Sequence, residues 1–356
     1  MNDRPELLKA IDELTASGFL GIQLRVNDEH GEWVGGAGAR ELESGDRPLT
    51  DGHFRIGSST KSFVATTVLL LVAEGRIGLD APVADHLPAF GLDRRITTRM
   101  LLQHTSGIFN HTGELYEDGT IVLGVPWRGK EWVDNRFTTY PPEELVRLSL
   151  SHPPRFAPGA GWSYSNTNYV LARLIVEAVT GRSFAEELRR LILDPLGLTG
   201  TLAPGASAKI PAPRNHGYYR YEDEGQERTI DVTRQNPSWV GAGGDMISTT
   251  ADLHTYFSAL IGGRLLPPDL LTQMRTPEET VGYGLGVFAQ ETAAGTVFHH
   301  NGAVMGSAAL MYASADGRTT LTAGLTWVDD AAMSIAPAFQ EAQSRLVGEV
   351  FCGKLR

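Results

Sequence analysis

Apolar and polar residues follow helical spacing at the start of the chain and strand-like spacing near its end. The most apolar run, residues 63–72, follows a short polar approach and predicts a buried helix from about Ser59 to Gly75. The first fourteen residues have the 3.6-residue spacing of an acidic, amphipathic helix. Apolar runs over residues 19–26 and 32–38 flank a turn-forming cluster, so they predict a β-hairpin.

The predicted secondary structure changes twice along the rest of the chain. Short helices broken by Pro and Gly are predicted over residues 97–104, 142–151, 166–180, 183–193, 249–261 and 268–274. The last third predicts strands over residues 281–289, 296–300, 306–313 and 319–327, and then a closing helix over 333–351. Residues 108–140 and 204–237 show neither period, so they predict long loops.

Strand signals therefore cluster at both ends of the chain, with helices between them. The economical fold is α/β (α+β), with one sheet built from the N-terminal and C-terminal segments and flanked by helices. We expect residues 1–78 and 238–356 to form an α/β domain and residues 79–237 a mostly helical inserted domain. The active site is expected in the cleft between them.

Composition narrows the classes of partner. The formal net charge is −11 and the basic residues are scattered, which argues against a nucleic-acid partner. No stretch is apolar for long enough to span a membrane, and the first residues lack the pattern of a signal peptide. The sequence as written thus predicts a cytoplasmic protein, or a secreted one if a leader was removed. Cys352 is the single cysteine, so no internal disulfide is possible.

Ser58 and Lys61 stand at the start of the apolar helix. Residues three apart share a helix face, so the Lys61 amine would lie close to the Ser58 hydroxyl. A serine becomes a nucleophile when a neighbouring base takes its proton, and lysine is one such base. The alternative is that Ser58 caps the helix and Lys61 is solvated, since about 0.3 Ser-x-x-Lys pairs are expected here by chance.

A second candidate group, Tyr164-Ser165-Asn166, opens the predicted helix over 166–180. Beside a cationic lysine, Tyr164 is expected to lose or share its proton more readily than a free phenol. Asn166 offers an amide for orienting a substrate or the lysine. The alternative is that Tyr164 packs in the core and Asn166 caps the helix.

The third group is His299-His300-Asn301-Gly302-Ala303, directly after a predicted strand. Gly302 permits close backbone approach, and the next amide, of Ala303, is a candidate oxyanion donor. A second His-x-Gly occurs at His111, but it precedes Tyr164 within a predicted loop, so His300 is preferred. A metal site at His299 and His300 is disfavoured because neighbours on a strand point to opposite faces and no other ligand accompanies them.

These three groups, in this order, resemble the motifs of the class C β-lactamase-related, penicillin-binding serine hydrolases, and most of all the actinomycete D-alanyl-D-alanine carboxypeptidases. The similarity extends to flanking segments at residues 53–57, 102–107, 158–161 and 282–286. The resemblance implies a β-lactamase/transpeptidase-like fold with an antiparallel sheet. It also implies a small-molecule or peptide substrate and no cofactor or metal.

The resemblance also implies roles for individual residues. Ser58 would form the acyl-enzyme, Lys61 would take its proton, and Tyr164 would pass that proton to the leaving group. His300 would complete the polar network, and Asn166 would hold the substrate amide. The remaining implied contacts with substrate are the oxyanion amides of Ser58 and Ala303, with Asn301 and Gly302 beside them, and a pocket wall at Trp239.

Departures from the carboxypeptidase pattern bear on the substrate. Those relatives carry hydroxyl residues where Asn301 and Ala303 stand, and a basic residue where residues 287–289 are apolar. These are the groups expected to bind a free carboxylate. We therefore expect a serine acyl-transfer enzyme that opens an amide or ester through acyl-Ser58 and passes the acyl group to water or an amine. Two alternatives stay open: a cytoplasmic biosynthetic transacylase, and a non-catalytic binding protein on the same fold.

Overall fold

One sheet joins the two ends of the chain, as the computed structural model of residues 4–352 shows. Within those residues the sheet has nine strands in the order β2-β1-β13-β12-β10-β9, with β11 paired to β12 and the β6–β7 hairpin joined to β13. The strands are β1 Phe19–Asp28, β2 Gly31–Gly38, β6 Tyr218–Asp223, β7 Gln226–Asp231, β9 Phe288–Thr292, β10 Gly295–His299, β11 Gly302–Val304, β12 Ser307–Ser314 and β13 Thr320–Asp330. Two short pairs lie outside it: β3 Phe54–Arg55 with β8 Ile247–Ser248, and β4 Glu114–Leu115 with β5 Ile121–Val122.

Helices cover both faces of this sheet and fill the middle of the chain. They are α1 Pro5–Ala16, α2 Thr60–Ala73, α3 Val83–His86, α4 Thr98–Gln103, α5 Gly129–Asn135, α6 Pro142–Leu150, α7 Asn166–Thr180, α8 Phe184–Leu188, α9 Asp194–Leu196, α10 Thr250–Ile261, α11 Pro268–Arg275 and α12 Ala336–Phe351. A π-helical turn, Arg189–Leu193, joins α8 to α9. The predicted α/β class, with an antiparallel sheet flanked by helices, is confirmed.

The central strands are buried on both faces because side chains alternate along each of them. On β12, Leu310 and Tyr312 pack with α1 and α12, whereas Met311 and Ala313 belong to the larger core on the other face. That larger core continues through α2 into α7 and α10. Helix α2 is buried along most of its length, as the apolar run over residues 63–72 predicts.

Three predicted segments differ from the structure. Residues 204–237, predicted as a loop within the helical insert, contain the β6–β7 hairpin, and β6 pairs with β13 in parallel. Residues 108–140 contain the β4–β5 pair and α5. The strand predicted over 281–289 begins only at Phe288, because Gly282 and Gly286 have φ of 73° and 86°, outside the range of a strand. Residues 1–3 of the predicted first helix lie outside the described residues. The division into two domains stays a prediction.

Candidate active site

Ser58 lies in a tight turn between the short strand β3 and the buried helix α2. The chain runs from β3 through a 3₁₀ turn, Gly57–Ser59, directly into α2. Gly57 has φ of 48°, and a Cβ on it would lie 2.5 Å from the Ala303 nitrogen, so a glycine is required at this position. The next residue, Ser59, ties the turn to the third motif because its hydroxyl donates to the His300 carbonyl over 2.6 Å.

Lys61 is fully buried beneath Ser58. Its Nζ lies 2.6 Å from the Gly243 carbonyl, 2.7 Å from Asn166 Oδ1 and 3.3 Å from Ser58 Oγ. Burial lowers the pKa of Lys61 well below its usual 10.5, because an ammonium group loses its hydration there. A neutral amine has two N–H donors and one lone pair. Gly243 and Asn166 take the two donors, which leaves the lone pair for the Ser58 proton.

Tyr164 approaches the same oxygen from another element. Its hydroxyl donates to Ser58 Oγ over 2.6 Å, and its ring lies under Lys61 Nζ at 4.4 Å. Burial raises the pKa of the Tyr164 phenol above its usual 10.0, so the phenol stays protonated. The expectation that a cationic Lys61 would ease ionisation of Tyr164 is therefore wrong, since burial acts on both groups and favours both neutral forms.

Asn166, the first residue of α7, is held on three sides. Its Oδ1 accepts from Lys61, its Nδ2 donates to Thr112 Oγ1 over 3.1 Å, and its backbone N–H donates to Asn110 Oδ1 over 3.0 Å. The contact between Asn166 Oδ1 and Lys61 Nζ is the one that the predicted role of Asn166 in orienting the lysine requires. Thr112 was missed from the sequence because it lies in a segment predicted only as a long loop.

The turn at Ser58 and strand β11 come together at backbone distance. A Cβ on Gly302 would overlap the Ile56 carbonyl and the Ser58 nitrogen, so only a glycine allows this approach. Ala303 is exposed and lines the same cavity as Ser58. The amides of Ser58 and Ala303, expected as the oxyanion donors, thus belong to adjacent segments at the cavity wall.

His300 lies behind the site. Within the described residues its ring hydrogen-bonds the Tyr283 hydroxyl at 3.1 Å and the Asn301 carbonyl at 2.9 Å, and not Ser58, Lys61 or Tyr164. Burial lowers the pKa of His300 to about 3, so the ring is neutral. Tyr283 in turn lies 3.0 Å from the Tyr169 hydroxyl. The geometry gives His300 a positioning role, and its predicted catalytic role stays untested.

Trp239 and Asn301 were also predicted to contact substrate, and the structure places them differently. Trp239 is buried and lines the cavity at Ser58, where it was expected. Asn301 does not line that cavity, contrary to expectation. Its amide donates to the Tyr312 hydroxyl over 2.6 Å and accepts from the Met311 N–H at 3.3 Å, so both ends bind strand β12 instead.

The cavity at Ser58 has a volume of about 270 Å³ and mainly apolar walls. Three tryptophans face it, and among the described residues that line it none is Lys or Arg and one is acidic, Asp329. The sequence did not single out Asp329, since nothing in the local pattern places the end of β13 opposite Ser58. The lining residues other than these are Thr112, Asn166, Val240, Gly244, Ala303, Val304, Met305, Met333, Ile335, Ala336 and Phe339.

The described part of the chain was also searched for metal ligands and membrane spans. Residues 4–352 hold no group of three or more His, Cys, Asp and Glu side chains arranged to bind a metal ion. His299 instead stacks between Phe288 and Tyr312, with ring centroids at 5.1 and 4.7 Å. Among the helices of this range, none combines the length and the apolar character needed to cross a bilayer.

Comparison with known proteins identifies the family of this chain. Residues 7–332 match the family described as β-lactamase. The chain belongs to the β-lactamase family. A crystal structure of a D-stereospecific amidohydrolase from Streptomyces sp. is 35% identical, with a TM-score of 0.84 over 99% of both chains. The D-amino acid amidase of Ochrobactrum anthropi SV3, 24% identical over 97% of this chain and 98% of its own, shares the fold with a TM-score of 0.82.

Longer proteins are also similar to this chain. The putative penicillin-binding protein PbpX of Bacillus subtilis is 28% identical over 243 residues, which make up 68% of this chain and 54% of PbpX. The chain thus spans about half the length of this relative. The predicted resemblance to the β-lactamase-related, penicillin-binding serine hydrolases is confirmed.

Proposed function

We propose that the protein is a serine amidohydrolase that opens an amide or ester through a covalent acyl-Ser58 intermediate. One observation carries the proposal: Ser58 Oγ lies 3.3 Å from the buried Lys61 amine and 2.6 Å from the Tyr164 hydroxyl. A neutral base and a protonated phenol, each within hydrogen-bond reach of the same nucleophile, are the groups that acyl transfer needs.

The first half of the proposed reaction forms the acyl-enzyme. Ser58 Oγ attacks the carbonyl carbon while its proton moves to the lone pair of Lys61, and the amides of Ser58 and Ala303 hold the developing oxyanion. Collapse of this intermediate breaks the carbonyl bond to the leaving group. Tyr164 gives its proton to the departing nitrogen or oxygen and recovers one from the Lys61 ammonium.

The second half returns the enzyme to its starting state. Water or an amine attacks the acyl carbon and loses one proton to Tyr164, which passes its own proton to Lys61. The bond to Ser58 Oγ then breaks, and Lys61 holds the proton that Ser58 Oγ needs. Ser58 Oγ takes a proton back, and the acid or the new amide leaves. Tyr164 stays within reach of Ser58 Oγ throughout, so one phenol serves both halves.

The walls of the cavity favour a substrate without a free carboxylate near the scissile bond. The described lining residues include no Lys or Arg that could bind one. We therefore propose an acyl group that is apolar or cationic rather than anionic. The likeness to a D-stereospecific amidohydrolase over nearly the full chain supports D-configured acyl groups.

A transacylase is the second candidate. Trp127, Trp239 and Trp327 line the cavity, and apolar walls of this kind limit the water that can reach the acyl-enzyme. An amine acceptor would then compete well with water. A binding protein without catalysis, the third reading, is disfavoured because all three reacting groups are present and in contact.

The test measures product release from D- and L-phenylalaninamide and 4-nitrophenyl acetate. Wild type, Ser58→Ala and the exposed control Ser207→Ala are compared, with and without added hydroxylamine. We expect release by wild type and the control and none by Ser58→Ala. The share of hydroxamate among the products separates transferase from hydrolase. Equal release by Ser58→Ala and wild type would overturn the proposal, as would no turnover of any of the three substrates.

A further inference from the structure

Asp329 is the one acidic side chain among the described residues that line the Ser58 cavity. It lies at the end of β13, two residues after Trp327, and alternation along the strand puts both on the face that forms the cavity wall. Asp329 is 9% exposed. A carboxylate this deeply buried is costly unless it is paired or hydrogen-bonded.

The donors around Asp329 are neutral: two backbone N–H groups and the indole of Trp327. Its Oδ2 accepts from the Gly306 N–H at 3.3 Å, and its Oδ1 accepts from the Asp330 N–H at 2.9 Å. No Lys, Arg or His nitrogen of residues 4–352 lies within 4.0 Å of it. Burial raises the pKa of the Asp329 carboxyl above its usual 3.8, which a bound cation would reverse.

Asp330, the next residue, has a charged partner that Asp329 lacks among the described residues. It points to the opposite face of β13, and its Oδ2 lies 3.2 Å from Arg220. Burial raises the pKa of Asp330, but hydrogen bonds from Ser334 and then Arg220 outweigh it and hold the pKa below its usual 3.8. The protein thus supplies a counter-ion to Asp330 and leaves Asp329, on the cavity side, without one among the described residues.

We infer that the acyl part of the substrate carries a protonated amine, which Asp329 binds through a charge-assisted hydrogen bond. The inference rests on the proposed acyl transfer at Ser58 and names the substrate class of that site. The cavity suits such a group, because Asp329 is the one charged side chain among the described residues that line it. Arg128 lies against the ring of Trp127 at 5.1 Å but is not among those lining residues. Asp329 would then be the residue that selects amines over their uncharged counterparts.

A purely structural role is the competing account. Asp329 accepts from Gly306 in the turn between β11 and β12, so it anchors that turn whether or not a ligand is bound. Such a role predicts lower stability in a variant but no change in the choice between substrates. Selectivity, rather than rate, is thus the quantity that separates the two accounts.

The experiment uses pairs of 4-nitroanilides that differ only in an amine. Alanyl, β-alanyl and phenylalanyl 4-nitroanilides, the chiral ones in both configurations, are compared with the propionyl and 3-phenylpropionyl compounds. The kcat/KM ratio within each pair is measured at pH 7 for wild type, Asp329→Asn, Asp329→Ser and the matched control Asp330→Asn. Thermal unfolding of each variant shows whether it is folded.

We expect wild type and Asp330→Asn to prefer at least one amine by about tenfold or more, and the Asp329 variants by less than about threefold. The asparagine keeps a carbonyl oxygen for the turn, whereas the serine has only a shorter side chain with a hydroxyl, so whichever variant folds gives the answer. A wild type with no preference for any amine would overturn the inference, and so would a preference that survives loss of the Asp329 charge. Turnover of amine and des-amino compounds at equal rates, or of neither while 4-nitrophenyl acetate is turned over, removes this inference alone. No turnover of the nitroanilides or of 4-nitrophenyl acetate removes the proposed function.

Discussion

The Tyr164 hydroxyl donates to Ser58 Oγ over 2.6 Å, while the ring of the same tyrosine lies 4.4 Å from Lys61 Nζ. The phenol therefore contacts the nucleophile directly, and the buried amine lies over its ring. Because burial raises the pKa of Tyr164, the phenol has a proton to give rather than a charge to offer. This geometry suits the proposed role of Tyr164 as a proton carrier between Lys61 and the leaving group.

Replacing that hydroxyl tests the assignment. Tyr164→Phe keeps the ring against Lys61 but removes the proton carrier, so acylation should slow by ~10²–10⁴-fold without loss of folding. Stopped-flow release of 4-nitrophenol and thermal unfolding measure the two effects. Tyr221→Phe, which lies outside the residues that line the cavity, should leave both unchanged. A Tyr164→Phe rate within about threefold of wild type would refute the role.

The lowered pKa of Lys61 gives the reaction a pH dependence. Acylation needs the neutral amine, so kcat/KM should rise with pH through the lowered pKa of Lys61 and level off well below pH 10.5. Lys61→Arg should be inactive across this range, since a guanidinium group does not lose its proton. A pH–rate profile of both proteins checks this. A wild-type rate that still climbs near pH 10.5 would show that Lys61 is not the depressed base.

Asn166 offers a way to move that profile. An Asn166→Asp carboxylate would lie where Oδ1 now accepts from Lys61 over 2.7 Å, and a negative charge there favours the ammonium form. The pKa of Lys61 should rise, and the acid limb of kcat/KM should shift to higher pH. Activity at pH 7 should fall and be regained at alkaline pH. A uniform loss with an unmoved limb would argue against control of Lys61 by Asn166.

The contact between the two backbone segments should be intolerant of any side chain. Gly302→Ala pushes a methyl group into the Ile56 carbonyl and the Ser58 nitrogen, so the oxyanion amides must separate. We expect about 1–3 kcal/mol of lost stability from this overlap. We also expect acylation to slow by about 10²-fold or more. Chemical denaturation and ester turnover measure the two effects.

Gly348→Ala is the matched control for that substitution. It lies in α12 with open space around its Cβ, so it should raise stability by about 0.5–1 kcal/mol because alanine favours a helix. Its turnover should equal that of wild type. A Gly302→Ala protein with wild-type turnover would show that the approach of β11 to Ser58 is not needed for catalysis.

Much of the site could be predicted because its residues sit at motif positions. Ser58 and Lys61 are one helical turn apart, and the order of the Tyr164 and His300 motifs identifies the partners that the fold brings together. Asn301 was predicted to contact substrate on the same grounds, but a motif position does not fix side-chain direction. Pairing of β11 with β12 turns the Asn301 amide towards Tyr312 instead.

The pairing of strands that lie far apart in the chain could not be predicted from the sequence. Strands β6 and β7 are rich in charged residues and lack a clean apolar alternation, and β6 is ordered through its parallel pairing with Val328–Asp330 of β13. Asp329, at the same end of β13, lines the cavity, although it lies more than 250 residues after Ser58 in the chain. Only the folded sheet brings Ser58 and Asp329 to one cavity.

The most direct test of the account is the intact mass of the protein after brief mixing with 4-nitrophenyl acetate, followed by peptide mapping. The account predicts a gain of one acetyl group in wild type, located on the peptide that contains Ser58 and lost again on standing in water. Ser58→Ala should show no gain, and Ser207→Ala should match wild type. Absence of the adduct in wild type at early times, despite turnover, or an equal adduct in Ser58→Ala, would contradict the claim that Ser58 is the nucleophile.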